Sequence, residues 1–157
     1  MVFNVFISSS VRDFKIIEEL KSTLKRYGIT VISPLSVTSY GQQIYEQIKS
    51  QIQMSDCFLA IIGIGGERSN SLNFEMGIAT ALNKPIIPIV EKNAILPSDL
   101  RSRKYIILDK DNPRVTYEQA AEYVGKLKIE KEQRNSIGGL ITLGLGLLLL
   151  GAIFGSD

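Results

Sequence analysis

Short runs of consecutive apolar residues alternate along the chain with longer stretches in which apolar residues recur every three or four positions. The first pattern marks strands buried on both faces, the second amphipathic helices. Strands are predicted at Val2 to Ile7, Ile29 to Ile32, Phe58 to Ile64, Pro85 to Val90 and Tyr105 to Leu108. Helices are predicted near Val11 to Tyr27, Gln42 to Met54 and Asn73 to Leu82, with a last one running onward from Thr116. In the first helix Phe14, Ile17, Leu20, Leu24 and Tyr27 form a stripe expected in the core, and Gly28 supplies a stop signal. The runs VFNVFI and FLAIIGI are apolar enough for central parallel strands, and Cys57, which opens the second, reads as a small buried hydrophobe.

Strand and helix in alternation give an α/β fold on a mostly parallel sheet. Right-handed crossovers through five strands give a flavodoxin-like sheet of order 2-1-3-4-5 with flanking helices. In such a sheet the ligand crevice lies beyond the carboxyl ends of strands one and three, where the winding reverses. That rule selects the loops Ser8 to Asp13 and Gly65 to Glu75.

The first loop, SSSVRD, offers the hydroxyls of Ser8, Ser9 and Ser10 and backbone N–H groups at a helix N-terminus, with Arg12 either neutralising a phosphate or simply solvated. It also reads as a plain cap, with Ser10 as N-cap and Asp13 three residues on. The second loop carries Gly63, Gly65 and Gly66 but matches neither a dinucleotide fingerprint nor a Walker A loop. Glu75 is predicted in the first turn of the following helix, aimed into the crevice. Its carboxylate either complements the helix dipole or does chemistry.

From Ile137 to Gly155 the chain is uncharged and apolar, long enough to cross a hydrocarbon core of about 30 Å. Lys126, Lys128, Lys131 and Arg134 precede it, so the positive-inside tendency keeps the large domain cytoplasmic. The expected organisation is an α/β domain over 1–125, a charged juxtamembrane helix or linker over 126–136, and a single transmembrane helix over 137–155, a tail anchor. The alternative is a hydrophobic helix buried in a soluble oligomer. No signal peptide is expected, because the N-terminus lacks a basic n-region and a small-residue cleavage site. Gly138, Thr142 and Gly146 fall four apart, as do Gly151 and Gly155, a spacing that lets helices associate in lipid.

Composition narrows the chemistry. A length of 157 residues suits one domain with a short appendage. The chain has no histidine, which excludes a histidine base, a Ser-His-Asp arrangement and a histidine metal ligand of its own. Its single cysteine excludes an internal disulfide and a cysteine zinc cluster, and no metal site or cofactor is expected. A net charge of +2 gives no argument for nucleic acid. One carboxylate nevertheless suffices for one reaction. Cleaving an N-glycosidic bond to a cationic nicotinamide needs no acid for the leaving group, and a nearby negative charge stabilises the oxocarbenium-like transition state.

Three stretches together, VFISSSVRD, IKSQIQMSDCFLAIIG and SNSLNFEMGIATALNKPIIPIV, resemble a TIR-type domain over most of residues 1–110. The strand-one motif of that family reads like VFISHSSKD, and Ser55 and Asp56 match its Ser-Asp pair before strand three. The family pattern S-x-W-C-x-x-E aligns its serine with Ser69 and its catalytic glutamate with Glu75, while Ser71 and Leu72 stand at the tryptophan and cysteine positions. The segment Ser33 to Gly41, SPLSVTSYG, matches the loop after strand two that contacts nucleotide and neighbouring domains. The resemblance implies cleavage of NAD+ as substrate, with Glu75 catalytic and Ser8, Ser9, Arg12, Ser33, Tyr40, Ser69 and Ser71 binding substrate. It implies partners too, copies of the chain and other TIR-like domains, in an immune or anti-phage setting, either as an enzyme activated by clustering or as a non-catalytic adaptor; the apolar run adds the membrane as a partner.

The stretch FEMGIATALNKPII from Phe74 to Ile87 is also similar to nucleoside 2-deoxyribosyltransferases, in which the corresponding glutamate is a nucleophile on the deoxyribose carbon. Both resemblances assign Glu75 to glycosidic-bond chemistry. Tyr40, Tyr45 and Tyr105 are candidates for stacking on a base, although aromatic residues near strand ends are more often core. Glu118 and Glu122 are expected to be solvated.

Overall fold

A computed structural model describes residues 2–32 and 42–136. The strands are β1 (Asn4–Ser9), β2 (Thr30–Ile32), β3 (Cys57–Ile62), β4 (Ile86–Glu91) and β5 (Ile106–Leu108). The helices are α1 (Phe14–Arg26), α2 (Gln42–Gln53), α3 (Asn70–Ala81) and α4 (Pro113–Ser136), and single 3-10 turns occupy Gly66–Arg68 and Ser98–Leu100. The sheet has the expected order β2-β1-β3-β4-β5, and every neighbouring pair is parallel.

The period-two alternation of strand side chains divides the core into two layers. Val5 and Ile7 of β1 join Leu59 and Ile61 of β3 under α1 and α4. Phe6 joins Phe58, Ala60 and Ile62 under α2 and α3, and the rings of Phe6 and Phe58, register partners, stack with centroids 5.4 Å apart. Cys57 is fully buried.

Several expectations are corrected. The buried face of α1 is Ile16, Leu20, Thr23 and Leu24, which keeps Leu20 and Leu24 of the expected stripe, whereas Phe14 is 73% and Tyr27 50% exposed. The cause is the cap. Asp13, not Ser10, is the N-cap, accepting the Lys15 N–H at 3.1 Å, so Phe14 is the first helical residue and turns to solvent. Tyr27 lies past the last turn and donates its hydroxyl to Glu118 at 2.6 Å, so Glu118 is held and not simply solvated. Gly28 follows at φ +74°, as a helix stop requires. Strand β1 runs to Ser9, which makes Ser8 and Ser9 strand residues and not loop residues. Tyr45 and Tyr105 lie at the surface, not in the core.

Helix α3 begins three residues before the predicted start, because Ser69 caps it by accepting the Leu72 N–H at 3.3 Å. Glu75 therefore sits in the second turn, beyond the reach of the dipole argument, which fades within the first turn.

Helix α4 runs antiparallel to the strands. The hydroxyl of Thr116 donates to Ile107 O at 3.0 Å and accepts Asp109 N–H at 3.2 Å, beside the carboxyl end of β5. At the other end Lys131 pairs with Asp56, the residue before β3. Among the described residues no helix is long and apolar enough to cross a membrane. The expected span 137–155 lies outside the described residues, as do Ser33 and Tyr40.

Candidate active site

Ser8 and Ser9 end the first strand on opposite faces of the sheet. Ser8 shares the face of Phe6, and its register partner on β3 is Ala60, so two small side chains lie side by side beneath α3. Into that space α3 delivers Glu75, which is 6% exposed and accepts a hydrogen bond from the Ser8 hydroxyl. Burial pushes the Glu75 carboxyl up, and the bond from Ser8, which favours the charged form, offsets part of that rise. A carboxylate held in this way costs stability, which makes Glu75 a candidate for a functional group.

Beside it, a cleft of about 1000 Å³ opens at the carboxyl edge of the sheet. Ser9, Arg12, Gly65, Ser69, Asn70 and Lys110 are among its lining residues. Its two loops are bound together by Ser10, whose hydroxyl accepts Gly63 N–H at 2.8 Å and donates to Ile61 O at 3.4 Å. Glycine at 66 follows directly, since a Cβ there would lie 2.4 Å from the Ser10 oxygen. Gly65 turns the chain at φ +80°. On the far wall Glu91, the last residue of β4, accepts Ile64 N–H at 3.0 Å and pairs with Lys110 at 2.8 Å. The Lys110 ammonium holds the Glu91 carboxyl below its ordinary value, and Glu91 in turn raises Lys110.

The structure thus brings Ser9, Arg12, Ser69 and Ser71 to one cleft. Ser9 is occupied with its own loop, accepting Val11 N–H at 3.0 Å, and Ser69 caps α3, with the Ser71 oxygen 3.4 Å from its own. Ser8 and Glu75 do not line that cleft but form a buried pair behind it, under α3. Sequence reasoning took Ser10 for a helix cap and not for the tie between the two loops, and it missed Glu91 and Lys110. The carboxyl-end rule could have found Glu91, which ends an apolar strand at the crevice edge. It also missed that Phe74 packs against Tyr45, ring centroids 5.7 Å apart, an aromatic pair on the surface beside Glu75. Among the described residues no cluster of three or more His, Cys, Asp or Glu could hold a metal ion.

This parallel sheet with a crevice at its switch point is a common frame, and comparison with known proteins specifies it. Residues 5–123 match the TIR domain family, and the chain belongs to that family. A search of curated proteins gives no match. Among solved structures, the TIR domain of the Toll-related receptor TRR-2 from Hydra magnipapillata is 23% identical, with 76% of this chain and 96% of that one covered and a TM-score of 0.62. The CMP N-glycosidase BcmB of Clostridium botulinum is 24% identical, covering 74% and 97%, at 0.57. A 2-deoxyribosyltransferase from Bacillus psychrosaccharolyticus is 17% identical, covering 69% and 88%, at 0.55. At these identities the likeness is one of fold.

Proposed function

We propose that the chain cleaves the nicotinamide–ribose bond of NAD+, with Glu75 as the catalytic carboxylate. The buried Glu75–Ser8 pair carries this reading. Burial penalises a lone negative charge, and a positive centre brought beside it relieves the penalty. NAD+ supplies such a centre, first as the nicotinamide cation and then, as the bond lengthens, as the oxocarbenium on the ribose. Nicotinamide departs neutral with the bonding electron pair, so no acid is required, which suits a chain without histidine. Water then adds to the ribose carbon and loses its proton, giving ADP-ribose. The Ser8 hydroxyl donates to the carboxylate and holds it ionised and oriented. The cleft with Arg12 and the α3 N-terminus fits the phosphates of the same substrate.

The apolar run 137–155 supports membrane anchoring, with the α/β domain on the cytoplasmic side. Confinement to a membrane raises effective concentration, so clustering of copies is the natural trigger. An immune or anti-phage role accords with the family. The test uses the full chain in lipid vesicles at high density, with nicotinamide release measured for wild type and Glu75→Gln. Release that vanishes in the variant supports the reading.

A second reading is base removal or exchange on a nucleotide such as CMP or on a deoxynucleoside. It is favoured by the fold shared with the N-glycosidase and the 2-deoxyribosyltransferase and by FEMGIATALNKPII. It predicts free base from those substrates with NAD+ untouched. A clustered wild type inert on all of them is an adaptor.

A further inference from the structure

The two edges of the sheet differ in chemistry. At the carboxyl edge, charges of both signs surround the cleft: Arg12 and Lys110 stand with Asp13 and Glu91. At the amino edge, cations predominate. Lys84 lies two residues before β4, and Arg103 and Lys104 lie just before β5. Lys128 reaches the carbonyl of Gly28 at 3.5 Å, and Arg134 follows in the last turn of α4. Of the acidic residues there, Asp56 is paired with Lys131, Glu130 with Arg134 at 3.7 Å and Glu122 with Lys126 at 3.8 Å, Glu118 accepts the Tyr27 hydroxyl, and Glu132 lies in the last turns of α4. The same edge exposes apolar side chains, since Val2, Tyr27, Met54 and Tyr105 all lie at strand starts or just before them and are at least 46% exposed. Cations mixed with exposed tyrosines and aliphatic side chains are the composition of a protein face that rests on lipid headgroups.

Helix α4 fixes how such a face would be presented. It crosses the sheet from the carboxyl end of β5 to Asp56 and continues past the amino edge to Ser136, where the uncharged run 137–155 follows. We infer that the amino edge of the sheet is a docking face for an anionic bilayer, laid down by α4, so that the cleft and Glu75 open away from the membrane. A β-strand six residues long spans about 20 Å, which sets the height of the cleft above the headgroups. This inference rests on the anchoring proposed above and is independent of the enzyme reading.

The test uses the full chain with one labelling site at a time, Met54→Cys at the amino edge or Asp111→Cys at the carboxyl edge. Burial keeps the native Cys57 thiol protonated and out of reach of the reagent. Each labelled protein is mixed into vesicles of three parts phosphatidylcholine to one part phosphatidylserine carrying a headgroup quencher. Severalfold stronger quenching at position 54 than at 111 is expected. The difference should collapse in 1 M salt, where the screening length falls from about 10 Å to about 3 Å. It should collapse equally in the Lys84→Glu, Arg103→Glu, Arg134→Glu triple variant, while the membrane-bound fraction stays unchanged. Equal quenching at both positions in vesicle-bound protein overturns the docking face and leaves the anchor standing. Protein quenched at 54 but released from the vesicles by 1 M salt supports the face and overturns the anchor; protein neither bound nor quenched overturns both.

Discussion

Glu75 is where stability and the proposed chemistry oppose each other, and its burial makes the conflict measurable. Its folded pKa lies above the unfolded one, so the native state binds the extra proton. Stability is then full below the ordinary glutamate pKa of about 4.3 and declines as pH rises through the folded value. Glu75→Gln should therefore melt higher than wild type at pH 8 and alike at pH 3, read by thermal unfolding in detergent. The same substitution should lower nicotinamide release by about 10²–10³-fold, the loss seen when an electrostatic stabiliser is removed. In the proposed reaction the ionised form acts, so kcat/KM for NAD+ should fall on the acid side with a midpoint above the usual glutamate range. An acid limb at the unperturbed value would contradict the buried-carboxylate mechanism. The position of Glu75 near the crevice was legible from strand order alone. Its burial was not, because it depends on which of the serines and asparagines in SNSLN starts α3, and all of them are good caps.

At the scale of elements, the loop between β3 and α3 shows why composition alone gave only flexible backbone there. The glycines serve contact with Ser10 as much as flexibility. A Cβ at Gly66 would meet the Ser10 oxygen at 2.4 Å and Ile62 Cγ2 at 3.0 Å. Gly66→Ala should cost about 1–3 kcal/mol, as overpacking does. Ser10→Ala alone should cost about 1 kcal/mol, because Gly63 N–H loses its acceptor. Together the two should cost less than their sum, since the smaller side chain makes room for the new methyl. A double-mutant cycle in urea measures this, and strict additivity would place the strain elsewhere. Arg12, by contrast, lines the cleft because an arginine just after strand one must lie at the carboxyl edge. The ends of the α1 stripe were less legible. SSSVRD contains several competent caps, and with Asp13 as the cap Phe14 and Tyr27 fall at the two ends of the helix and turn to solvent, while Leu20 and Leu24 of the expected stripe are buried.

For the whole molecule, alternation of strands and helices with right-handed crossovers left one natural strand order, and the sheet has it. The path of α4 was less legible, since its buried face of Thr116, Tyr117, Ala120, Ala121 and Val124 is built largely of small or polar side chains that give a weak hydrophobic stripe. Polar ties complete its seating. Tyr117 donates to Glu19 at 3.1 Å near its start, and Lys131 pairs with Asp56 near its end. Asp56 also accepts the Asn4 N–H at 2.7 Å, so one carboxylate joins the starts of β1 and β3 to the last turns of α4. Its neighbour Ser55 donates to Gln51 O at 2.8 Å, which gives the Ser-Asp pair of the TIR pattern a physical basis as the closure of α2 and the latch of α4. Asp56→Ala should therefore cost about 1–3 kcal/mol, leaving a strand N–H and an ammonium without their acceptor. Lys131→Met should cost less, because Asn4 keeps its partner and an apolar stem remains beside the Phe3 ring. In both variants, hydrogen exchange should quicken over 128–136 and stay slow over 117–124, where Val124 and Ala121 are fully buried. Uniform acceleration along α4 would mean that the helix opens as one unit and that Asp56 holds all of it.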